Sequence, residues 1–574
     1  MSKVQQLRDV SLNSGYQDSL VLDTAIIGAG TSGLYSAYRL TVDAGCPPGS
    51  VHLFESSDRI AGRLDSVILP GMQISGELGG MRYLNSQQIV TTLIEQVFAS
   101  ELTSIDFPMG DDAHLFTYLR KMRCRSDAWV VAQQDDQKLQ TNYLLNSQDL
   151  GYSADQLFNK VVYDVLMADP WFVENYPGKA TNTAPYQYSF TLTSLDWDAI
   201  KPSLTYNFAG PYQGLKLNDL GFWNLIKDRV SQEGYEFLDA GGGYYSNTIN
   251  WNAAEAFPYM VGDFSDANVK YKTIEGGYDL IAYALAQHYL QAPGACIWSE
   301  NKLLSFDYAQ GGPRKYCLQF LNLNSGQHWR VFASNIVLAM PRRSLELLDQ
   351  QTWFFQDANL QRNLESVIME PSFKLLMGFE EPWWAEDFGC TAGHSVTDLP
   401  MRQCYYFGTD PNDSHSLFLA SYNDMKTVTF WIPLNDYPER YQVRPTRLLA
   451  AEKLPASIQN QASAVMVAEA MNQVRELHGT NMNIPDPFVA WYQDWTADPF
   501  GGGYHAWKAG YSVKDVMPYM RRPFPDQSIH VCGEAYSDQQ GWVEGAFCVA
   551  ERMLQDHFGL QCPAWLDKNY YLGW

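Results

Sequence analysis

Three glycines near the start of the chain have the spacing that binds the phosphates of a dinucleotide. The segment Thr24-Ala-Ile-Ile-Gly-Ala-Gly-Thr-Ser-Gly33 places Gly28, Gly30 and Gly33 in a G-x-G-x-x-G pattern directly after an apolar run. In this pattern the first glycine permits a tight turn, the second lets the backbone approach a pyrophosphate, and the third lets helix and strand pack closely. The predicted chemistry is the binding of a phosphate-bearing cofactor.

The elements around the glycines complete a dinucleotide-binding unit. A strand is predicted over 24–27, a helix over 34–40, and a second strand over Val51-His-Leu-Phe-Glu55. The helix N-terminus, at Thr31 and Ser32, offers N–H groups and partial positive charge to phosphates. Glu55 ends the second strand and would accept hydrogen bonds from a ribose hydroxyl. The alternative is a glycine-rich turn without a nucleotide.

Size, charge and cysteine content narrow the function classes. At 574 residues the chain is long enough for two or three domains with sizeable cores. Its 40 basic and 64 acidic side chains give a net charge of −24, which disfavours binding to nucleic acid and to anionic membranes. Nine cysteines, without a C-x-x-C pair, suggest neither a disulfide framework nor a structural zinc site, and no metal is predicted.

The N-terminal sequence and the hydropathy predict a cytoplasmic protein. The segment Met1-Ser-Lys-Val-Gln-Gln-Leu-Arg-Asp9 lacks the apolar core of a signal peptide, and the chain has no apolar run long enough to predict a membrane span. Free thiols in a reducing compartment fit the cysteine content. Export by another route, or a trimmed N-terminus, stays open.

Nucleotide-binding character returns in the middle and at the end of the chain. A buried strand is predicted over 335–341 and another over 529–534, and the second runs through Gly541-Trp-Val-Glu-Gly-Ala546 into a helix over 547–558. These segments predict a discontinuous domain in which early, middle and late parts of the chain build one sheet.

The chain between these segments predicts further units. Strand-like runs occupy 375–379 and 427–432, and a helix with one buried apolar face is predicted over 462–478. Residues 100–265 mix helical and irregular signals and are rich in Tyr, Asn and Asp.

The segments together resemble the flavin-dependent amine oxidase superfamily over nearly the whole chain. Besides the first glycines, the resemblance rests on Arg59-Ile-Ala-Gly-Arg63, Ile274-Glu-Gly-Gly-Tyr-Asp-Leu280, Leu303-Leu-Ser-Phe306, Gly533-Glu534 and 541–546. The first of these is similar to the family's G-G-R phosphate loop, although Ala61 replaces one glycine.

The resemblance implies a mixed α/β (α+β) fold. In it, a discontinuous Rossmann-like FAD-binding domain carries an inserted substrate-binding domain with a mixed sheet and a helical subdomain. On this pattern residues 1–100, 265–345 and 500–574 form the FAD-binding domain. Residues 101–264 form a helical region through which substrate would enter, and residues 346–499 form the substrate-binding domain.

The implied cofactor is FAD, bound without a covalent link. Monoamine oxidases carry a cysteine in an S-G-G-C-Y turn, whereas this chain reads Phe500-Gly-Gly-Gly-Tyr504 and has Gly503 in that place. The guanidinium of Arg63 would bond the pyrophosphate by charge-assisted hydrogen bonds. The residues that the resemblance assigns to FAD are Gly28, Gly30, Thr31, Ser32, Gly33, Glu55, Arg63, Gly80, Met81, Arg82, Leu303, Glu534, Trp542 and Val543.

One arginine bears on which amine the site would accept. The segment Glu77-Leu-Gly-Gly-Met-Arg-Tyr83 resembles the G-x-M-R element of L-amino-acid oxidases, in which the arginine binds the substrate carboxylate; plain amine oxidases lack that arginine. A guanidinium holds a carboxylate with two parallel N–H···O bonds. The resemblance therefore assigns this role to Arg82. The alternative is that Arg82 pairs with a structural acid such as Glu77.

Two tyrosines also support the resemblance to L-amino-acid oxidases. The segment Asp398-Leu-Pro-Met-Arg-Gln-Cys-Tyr-Tyr406, followed by Leu419-Ala-Ser-Tyr422, resembles the amino-acid oxidase pattern. The resemblance makes Tyr422 a second ligand of the substrate carboxylate and places Tyr405 in the same wall. The alternative for each tyrosine is an ordinary strand residue.

A lysine and a tryptophan match the family's residues beside the flavin. The segment Phe373-Lys-Leu-Leu-Met-Gly-Phe379 resembles the strand whose lysine holds a water at flavin N5 and assists the reaction with oxygen. Apolar neighbours should lower the pKa of Lys374. Trp542 corresponds to the aromatic residue that flanks the substrate. The alternatives are a surface lysine and a core tryptophan.

Within the family, the strongest overall likeness is to bacterial L-lysine oxidase/monooxygenase enzymes. It rests on Gly533-Glu-Ala-Tyr-Ser-Asp-Gln-Gln-Gly-Trp-Val-Glu-Gly545 and Pro563-Ala-Trp565. Asp239 matches the acid proposed there to meet a distal ammonium, although it could equally cap a turn in its glycine-rich stretch. Trp431 and Phe500 are aromatic candidates for the pocket wall, with core packing as the alternative.

The predicted function is that of an FAD-dependent L-amino-acid oxidase. Such an enzyme converts L-amino acids, here with a preference for lysine and arginine, to 2-oxo acids, ammonia and hydrogen peroxide. The alternatives within the family are an L-lysine-type 2-monooxygenase, which decarboxylates its substrate to an amide, and a broad-specificity or aromatic L-amino-acid oxidase. A plain amine oxidase, a dehydrogenase and a flavin-retaining non-enzyme are the other classes. The predicted partners are a small-molecule L-amino acid and O2. The resemblance to the family also predicts a homodimer.

Overall fold

The protein's structure is a computed structural model that describes residues 3–263, 269–443 and 460–574. Two seven-stranded sheets dominate the described residues, and four smaller sheets accompany them. The strands are β1 (Ser19–Ile27), β2 (Val51–Phe54), β3 (Ser66–Val67), β4 (Gly76–Glu77), β5 (Tyr83–Leu84), β6 (Ser104–Asp106), β7 (Phe116–Leu119), β8 (Met122–Arg125), β9 (Ala180–Ala184), β10 (Gln187–Phe190), β11 (Tyr271–Ile274), β12 (Cys296–Trp298), β13 (Asn301–Tyr308), β14 (Tyr316–Asn322), β15 (His328–Leu338), β16 (Val367–Glu370), β17 (Ser372–Phe379), β18 (His394–Thr397), β19 (Gln403–Thr409), β20 (Ser416–Asp424), β21 (Val489–Asp494), β22 (Tyr504–Trp507) and β23 (Ile529–Val531).

Helices connect and cover the sheets. The α-helices are α1 (Lys3–Arg8), α2 (Thr31–Tyr38), α3 (Gln88–Thr92), α4 (Ala128–Gln134), α5 (Ala154–Ala168), α6 (Pro170–Asn175), α7 (Ser194–Ile200), α8 (Phe222–Arg229), α9 (Gln232–Gly241), α10 (Ala253–Pro258), α11 (Leu280–Leu290), α12 (Arg342–Glu346), α13 (Ala358–Leu364), α14 (Trp383–Phe388), α15 (Val428–Trp431), α16 (Ala464–His478), α17 (Val513–Arg521) and α18 (Val543–Phe558). Short π-helical turns span Arg39–Asp43, Leu93–Val97 and Tyr259–Asp263, and 3₁₀ turns span Leu217–Asp219, Gly243–Asn250, Met425–Thr427, Ile432–Asp436 and Glu534–Tyr536.

The first large sheet places the glycine motif at the carboxyl end of a central strand. Its order is β12-β2-β1-β15-β14-β13, and β23 pairs with β15. β1 runs parallel to β2 and β15, and β23 runs parallel to β15. These strands come from early, middle and late parts of the chain, so one sheet is built from separated segments as the sequence predicts. Ligands of such sheets bind beyond the carboxyl ends of the parallel strands.

Both faces of this sheet are covered, as its parallel strands require. Helices α2, α11 and α18 pack together on one face, where the core includes Ile26, Leu34 and Phe547. The core on the other side includes Phe54 and Trp298, whose rings stack 6.4 Å apart. Two apolar layers therefore hold the strand ends, and with them the glycine loop, in a fixed position.

The second large sheet carries the residues predicted to bind substrate. Its order is β21-β17-β20-β19-β18-β7-β8. β17 is buried along its whole length, and its antiparallel register with β20 places Lys374 directly opposite Tyr422. Strands β7 and β8 belong to this sheet, although the sequence boundaries assign residues 116–125 to the helical region.

The helical region, residues 101–264, has a hydrophobic core of its own. Helix α5 begins with a capping box, in which the Ser153 hydroxyl accepts from Gln156 N and the Gln156 side chain bonds the Ser153 backbone. Its apolar face packs with α9 and α6 around Phe158 and Phe237. This core includes Ala506 of β22, so the strand after the Gly503 turn contacts the helical region.

Two local predictions have opposite outcomes. The amphipathic helix is confirmed as α16, whose N-cap Ser463 accepts a hydrogen bond from Met466 N. The strand predicted at 427–432 is wrong, because this segment forms helical turns that include α15. Val428 and Trp431 lie three residues apart and are both buried, which is the spacing of one helix face.

Two further observations concern the whole described chain. No helix in the described ranges combines the length and the apolar character needed to cross a bilayer. All nine cysteines are free thiols.

Candidate active site

The three glycines of the first motif differ in how much space surrounds each of them. Gly28 has a φ of +104°, and a Cβ there would lie 2.3 Å from the Ala339 carbonyl oxygen. A Cβ on Gly33 would lie 2.0 Å from the Gly28 carbonyl oxygen, so α2 packs directly on the turn. Gly30 differs, because its backbone is ordinary (φ −76°, ψ −178°) and the nearest atom to a Cβ is 3.8 Å away. The fold alone does not require a glycine at position 30.

The space beside Gly30 fits a phosphate group. Gly30 is the N-cap of α2 and makes no side-chain cap, so the first turn of the helix keeps its N–H groups and partial positive charge. The Arg59–Arg63 loop faces it, since Ala61 N donates to the Ala29 carbonyl oxygen over 2.9 Å. A small backbone cleft at a helix N-terminus is the site that the G-x-G-x-x-G pattern predicts.

Glu55 is fixed at the end of β2. Its Oε2 accepts from Ala29 N over 2.9 Å, and its Oε1 accepts from the backbone N–H of Ser57 over 2.9 Å. The Glu55 carbonyl oxygen accepts from Asn301 N, which brings the start of β13 and therefore Leu303 alongside. A carboxylate has about four lone-pair positions. Oε1 also accepts from the hydroxyls of Ser57 and Ser56 over 3.0 and 3.3 Å, so the position that remains for the predicted ribose hydroxyl is on Oε2.

A buried ion pair joins two motifs that lie far apart in sequence. Arg63 Nη2 contacts Glu534 Oε2 over 2.8 Å, and Arg63 Nη1 donates to the Gly503 carbonyl oxygen over 3.0 Å. Glu534 Oε1 also accepts from the backbone N–H groups of His505 and Gly541. Burial alone would raise the pKa of Glu534, but Arg63 and His505 outweigh it and lower the pKa to about 2. Glu534 is therefore an anion that orders both loops.

The C-terminal motif ends in an aromatic turn. Trp542 is half-buried at the N-cap of α18, directly before Val543. Its indole Nε1 has no hydrogen-bond partner among the described residues. Tyr504 lies beside the same turn, because a Cβ on Gly541 would be 3.8 Å from the Tyr504 ring. Tyr504 has a buried hydroxyl without a partner in the described chain, and the sequence analysis missed it.

Gly80 and Met81 bring the segment that carries Arg82 against the phosphate loop. Gly80 N donates to the Arg63 carbonyl oxygen over 3.1 Å, and a Cβ on Gly80 would lie 2.7 Å from Leu64. Met81 is buried, and its carbonyl oxygen accepts from Thr273 Oγ1 over 3.0 Å. The residues predicted to contact FAD from separate motifs therefore lie in one connected region.

Lys374 is a buried lysine rather than a surface residue of its strand. Only 2% of the residue is exposed, and its Nζ donates to the carbonyl oxygens of Glu77 and Gly79. The Nζ lies 4.6 Å from the centre of the Tyr422 ring. Burial lowers the pKa of Lys374; the Glu77 carboxyl opposes this shift, and the Arg82 guanidinium adds to it. The predicted lowering of this pKa is confirmed.

Arg82 lies in a largely aromatic enclosure. Its Cζ is 3.9 Å from the centre of the Tyr271 ring and 5.2 Å from that of Phe107, and its Nη1 contacts Met109 Sδ over 3.2 Å. The residue is 8% exposed. Flat contacts of this kind hold the guanidinium plane while its N–H edge stays able to bind a carboxylate.

Glu77, the acid that could have paired with Arg82, has other bonds. Its Oε2 accepts from Ser66 Oγ over 2.7 Å, and its Oε1 accepts from Tyr278 N over 2.9 Å. Burial raises the pKa of the Glu77 carboxyl, and the neighbouring Asp279 adds to the rise. Burial and Asp279 therefore favour the protonated form of Glu77 over an anion that would compete for Arg82, although the two hydrogen bonds that Glu77 accepts lower its pKa.

Tyr405 and Tyr422 lie together, as the resemblance implies. Their ring centres are 6.4 Å apart, and Tyr405 also stacks on His394 with ring centres 5.0 Å apart. Burial and the charge of Arg82 together lower the pKa of His394 to about 4. His394 is therefore neutral near pH 7. The sequence analysis missed it, because only the β18–β19 register places it opposite Tyr405.

The structure places Trp431 and Phe500 by contacts that favour packing. Trp431 is fully buried, stacks on Phe373 at 5.6 Å, and donates from its indole N–H to the Pro400 carbonyl oxygen. Phe500 is half-buried and packs edge-on against Trp495 at 5.0 Å. These contacts support the core-packing alternative for Trp431, and both pocket roles stay predictions.

Asp239 is part of a buried group of charges. It lies inside α9, so it does not cap a turn, and its Oδ2 accepts from Lys426 Nζ. Asp424 is also buried, and its Oδ1 lies 3.3 Å from Arg402 Nε. Glu370 is 1% exposed, and its Oε1 has no hydrogen-bond partner among the described residues. We call Asp239, Asp424, Glu370, Arg402 and Lys426 the acid cluster.

We expect Glu370→Gln to stabilise the ligand-free protein at pH 8 but not at pH 4.5. Burial and the charge of Asp424 raise the pKa of Glu370 from its ordinary value near 4.5 to about 8, although hydrogen bonds from Asn250 and Trp251 oppose the rise. Between these values the unfolded chain has lost a proton that the folded chain keeps, so stability falls by about 1.4 kcal/mol for each pH unit. Glutamine does not titrate, so the variant does not lose this stability. Thermal unfolding of wild type and variant at the two pH values measures the difference in stability. An equal shift of the unfolding temperature at both pH values would contradict the raised pKa of Glu370.

A second group of titratable side chains lies outside the site, and hydrogen bonds explain why these side chains lie close together. Asp410, Asp413 and His415 hold their ligand atoms within 4.8 Å of one another at the β19–β20 hairpin. The Asp410 carboxylate accepts from the backbone N–H groups of Gln73 and Ile74 over 2.9 Å. Because these bonds account for the grouping, we assign it no metal.

The geometry defines a class of protein. A dinucleotide loop lies next to a buried lysine and a buried arginine, which is an arrangement for redox chemistry on a small polar molecule. The family model for flavin-containing amine oxidoreductases matches residues 31–552, and the chain belongs to this family. The protein is therefore an oxidoreductase with a flavin cofactor and the mixed α/β fold of its family.

Named relatives cover almost the whole chain at low identity. Achacin of Lissachatina fulica is 26% identical over 96% of this chain and 96% of its own length. Aplysianin-A of Aplysia kurodai is 26% identical over 94% of this chain and 91% of its own length. L-amino-acid oxidase 4 of Hebeloma cylindrosporum is 23% identical over 95% of this chain and 83% of its own length.

A solved structure shares the fold. Putrescine oxidase bound to putrescine superimposes with a TM-score of 0.61 at 16% identity, over 94% of this chain and all of that chain. At this identity the likeness shows the fold alone. The stronger likeness to bacterial L-lysine oxidase/monooxygenase enzymes stays a prediction from the sequence.

Proposed function

We propose that the protein is an FAD-dependent L-amino-acid oxidase that binds FAD without a covalent link. Arg82 is the observation that carries the proposal. It is a buried guanidinium whose charge acts on Lys374, and Lys374 in turn lies 4.6 Å from the Tyr422 ring. The planar guanidinium matches a carboxylate by two parallel hydrogen bonds, and an amino acid has a carboxylate where a plain amine has none.

The chain's own residues bind and orient the substrate. Arg82 would hold the carboxylate by two parallel hydrogen bonds, and the Tyr422 hydroxyl would donate a third. Tyr504 and Trp542 flank the turn of the C-terminal motif and would enclose the amine end. Enclosure in an apolar site favours the neutral amine over the ammonium. The chemistry that bound FAD would supply is the two-electron oxidation of the amino acid, with O2 as the final electron acceptor.

The residues that fit FAD connect with this substrate site. Gly28, Gly30 and Gly33 form the phosphate cleft, and Arg63 and Glu534 join that cleft to the turn of Trp542. Gly503 supports non-covalent binding, because it has no thiol where the resemblance would require one. Water converts the released imino acid to a 2-oxo acid and ammonia. A homodimer and a cytoplasmic location stay predictions from the sequence.

We expect Lys374→Met to slow the reaction with oxygen more than the reaction with amino acid. Lys374 is a buried cation or donor next to Tyr422, and methionine keeps its length without its charge. Removal of one such preorganised group costs about a hundredfold. Steady-state rates at varied O2 and varied amino acid separate the two values of kcat/KM. An equal loss in the two values of kcat/KM would contradict a role for Lys374 in the reaction with oxygen.

The function is tested by anaerobic titration of the purified holoenzyme. The titrants are L-lysine, L-arginine, L-phenylalanine, L-leucine and the decarboxylated amine of each, and the signal is loss of flavin absorbance. Reduction by the amino acids alone supports the proposal. Reduction by the amines alone overturns it in favour of a plain amine oxidase, and reduction by neither favours a non-enzyme.

Aerobic products separate the two flavoenzyme alternatives. An oxidase releases a 2-oxo acid, ammonia and hydrogen peroxide, whereas a 2-monooxygenase releases an amide and carbon dioxide. Mass spectrometry of the products from L-lysine distinguishes them, because the amide has one carbon fewer than the 2-oxo acid. A predominance of the amide would replace the oxidase assignment with the monooxygenase one.

A further inference from the structure

Lys201 is a buried cation that joins two separated parts of the chain. It is the C-cap of α7, and only 3% of the residue is exposed. Its Nζ contacts Glu255 Oε2 of α10 over 2.8 Å and Asp538 Oδ1 over 2.6 Å. Burial lowers the pKa of Lys201, but Asp538 and Glu255 outweigh burial and raise the pKa above its ordinary value. The charge of Lys201 therefore ties the helical region to the segment that contains Asp538.

Helix α7 gives Lys201 a fixed base. The helix begins with a capping box, and its side chains Trp197 and Ile200 are buried in the core of the helical region. The Tyr571 hydroxyl donates to the Asp198 carboxylate, so a segment that follows α18 also holds this helix. Because Lys201 directly follows Ile200, its backbone is held by the packing of the helix.

Asp538 begins the turn that ends at Trp542, which we call the aromatic turn. Trp542 N donates to the Gln539 carbonyl oxygen over 3.3 Å, and Gly541 N donates to Glu534 Oε1 over 2.9 Å. A turn that is closed by its own hydrogen bonds moves as a unit. A shift of Asp538 therefore displaces Trp542, the residue that would flank the substrate.

The aromatic turn is closely packed on one side and borders a cavity elsewhere. A Cβ on Gly545 would lie 2.3 Å from the Gln539 carbonyl oxygen, so α18 packs directly on the turn. A cavity of about 420 Å³ is lined by Asp538 and Gln539 of the turn and by Trp251 and Glu255 of the helical region. Close packing therefore does not hold the turn where it borders this cavity.

We propose that Lys201 is a positioning residue, which holds the aromatic turn through Asp538 and so keeps Trp542 in the place that the substrate site requires. This inference rests on the proposed oxidase function. Within the described ranges Lys201 makes the only ion pair of Asp538. The two side chains are 3% and 20% exposed, so water screens their attraction little and the pair resists a shift of the turn toward the cavity.

Lys201→Met in the holoenzyme tests this role, because methionine keeps much of the side chain's length without its charge. We expect the anaerobic rate of flavin reduction by L-amino acids to fall by about tenfold or more, since a misplacement of about 1 Å can cost about a hundredfold. The value of kcat/KM for O2 should not change, because the reaction with oxygen depends on Lys374. Stopped-flow absorbance and oxygen consumption measure the two quantities.

Lys160→Met is the matched control. It makes the same substitution in the helical region, in an ion pair with Asp164 that lies within α5. This variant should reduce its flavin at the wild-type rate. Thermal unfolding of both variants identifies a purely structural role. A lower unfolding temperature in Lys201→Met, together with a wild-type rate of flavin reduction, would overturn the inference.

Asp538→Asn covers the case in which Lys201→Met does not fold. It removes the charge on the turn and leaves Lys201 paired with Glu255, so no buried cation loses its only partner. The rate of flavin reduction should fall by about tenfold or more here too. A wild-type rate in this variant would show that the ion pair does not position the turn.

A double-mutant cycle with Trp542→Phe tests the route from Lys201 to the site. Substitutions at independent sites have additive effects, whereas substitutions in residues that act as one unit do not. If Lys201 acts through the aromatic turn, Lys201→Met should slow flavin reduction much less in the Trp542→Phe background than in wild type. Additive effects would assign Lys201 another route and would contradict the proposal.

Visible circular dichroism of the bound flavin separates this inference from the proposed function. The signal depends on the asymmetric surroundings of the flavin ring and needs no substrate. If wild type oxidises no amino acid, the oxidase proposal fails and this spectrum decides the role of Lys201 alone. A change in Lys201→Met but not in Lys160→Met then supports the role, and a wild-type spectrum in Lys201→Met overturns it.

Discussion

Replacement of Arg82 by methionine should lower kcat/KM for L-amino acids by about a thousandfold. Arg82 is buried between the rings of Tyr271 and Phe107, and in the proposed complex it makes two charge-assisted hydrogen bonds to the carboxylate. Loss of one partner of a buried, hydrogen-bonded charge pair costs about 2–5 kcal/mol. Methionine keeps apolar contacts with the two rings. The measurement is steady-state oxygen consumption with each amino acid.

The amines that lack the carboxylate provide the internal control. Their weak turnover should change far less in Arg82→Met, because no partner for the guanidinium is lost. Arg552→Met is the matched arginine control, since Arg552 is half-exposed and pairs with Asp556 along α18. Amino-acid kinetics that are the same in Arg82→Met and wild type would show that the carboxylate binds elsewhere, and would remove the main support for the oxidase proposal.

The local motifs made much of this site predictable. The strand and the glycine spacing give α2 and its phosphate cleft from one continuous segment, because each step depends on neighbouring residues. Lys374 could be predicted as a buried lysine because its strand is apolar on both faces. The resemblance assigned Arg63 and Glu534 to the same cofactor, but it did not predict the ion pair between them.

Other site residues depend on contacts that no local pattern encodes. Glu370 is an acid in a short strand, and its burial beside Asp424, Asn250 and Trp251 depends on contacts that are distant in sequence. His394 enters the site only through its position opposite Tyr405. The error at 427–432 has a related cause, since alternating apolar residues also fit one face of a short helix.

Asp239 shows the same limit of sequence patterns. Asp239 stands in a glycine-rich stretch that attracts notice in the sequence, and its ionic partner, Lys426, is 187 residues away. A pattern can mark an acid, but it does not show whether another part of the chain has already neutralised it. Register and burial decide that question, because they determine which carboxylate has no cation.

Two glycine-to-alanine variants should show which glycine is needed for cofactor binding and which is needed for the fold. Gly30→Ala should keep the fold, because the backbone at this position is ordinary and the nearest atom to the new Cβ is 3.8 Å away. It should raise the Kd for FAD by about a hundredfold, equal to about 2.7 kcal/mol, because the methyl group occupies the space where a pyrophosphate approaches the backbone. Fluorescence titration of the apoprotein with FAD measures this change.

Gly33→Ala makes the same chemical change three residues later, with the opposite result. Its Cβ would lie 2.0 Å from the Gly28 carbonyl oxygen, so α2 must move away from the turn and the free energy of unfolding should fall by about 3 kcal/mol. Thermal unfolding of the two apoproteins measures the difference. If Gly30→Ala binds FAD as wild type does, the cleft beside Gly30 is not the phosphate site. If instead both variants unfold alike, position 30 has a structural role that the 3.8 Å clearance argues against.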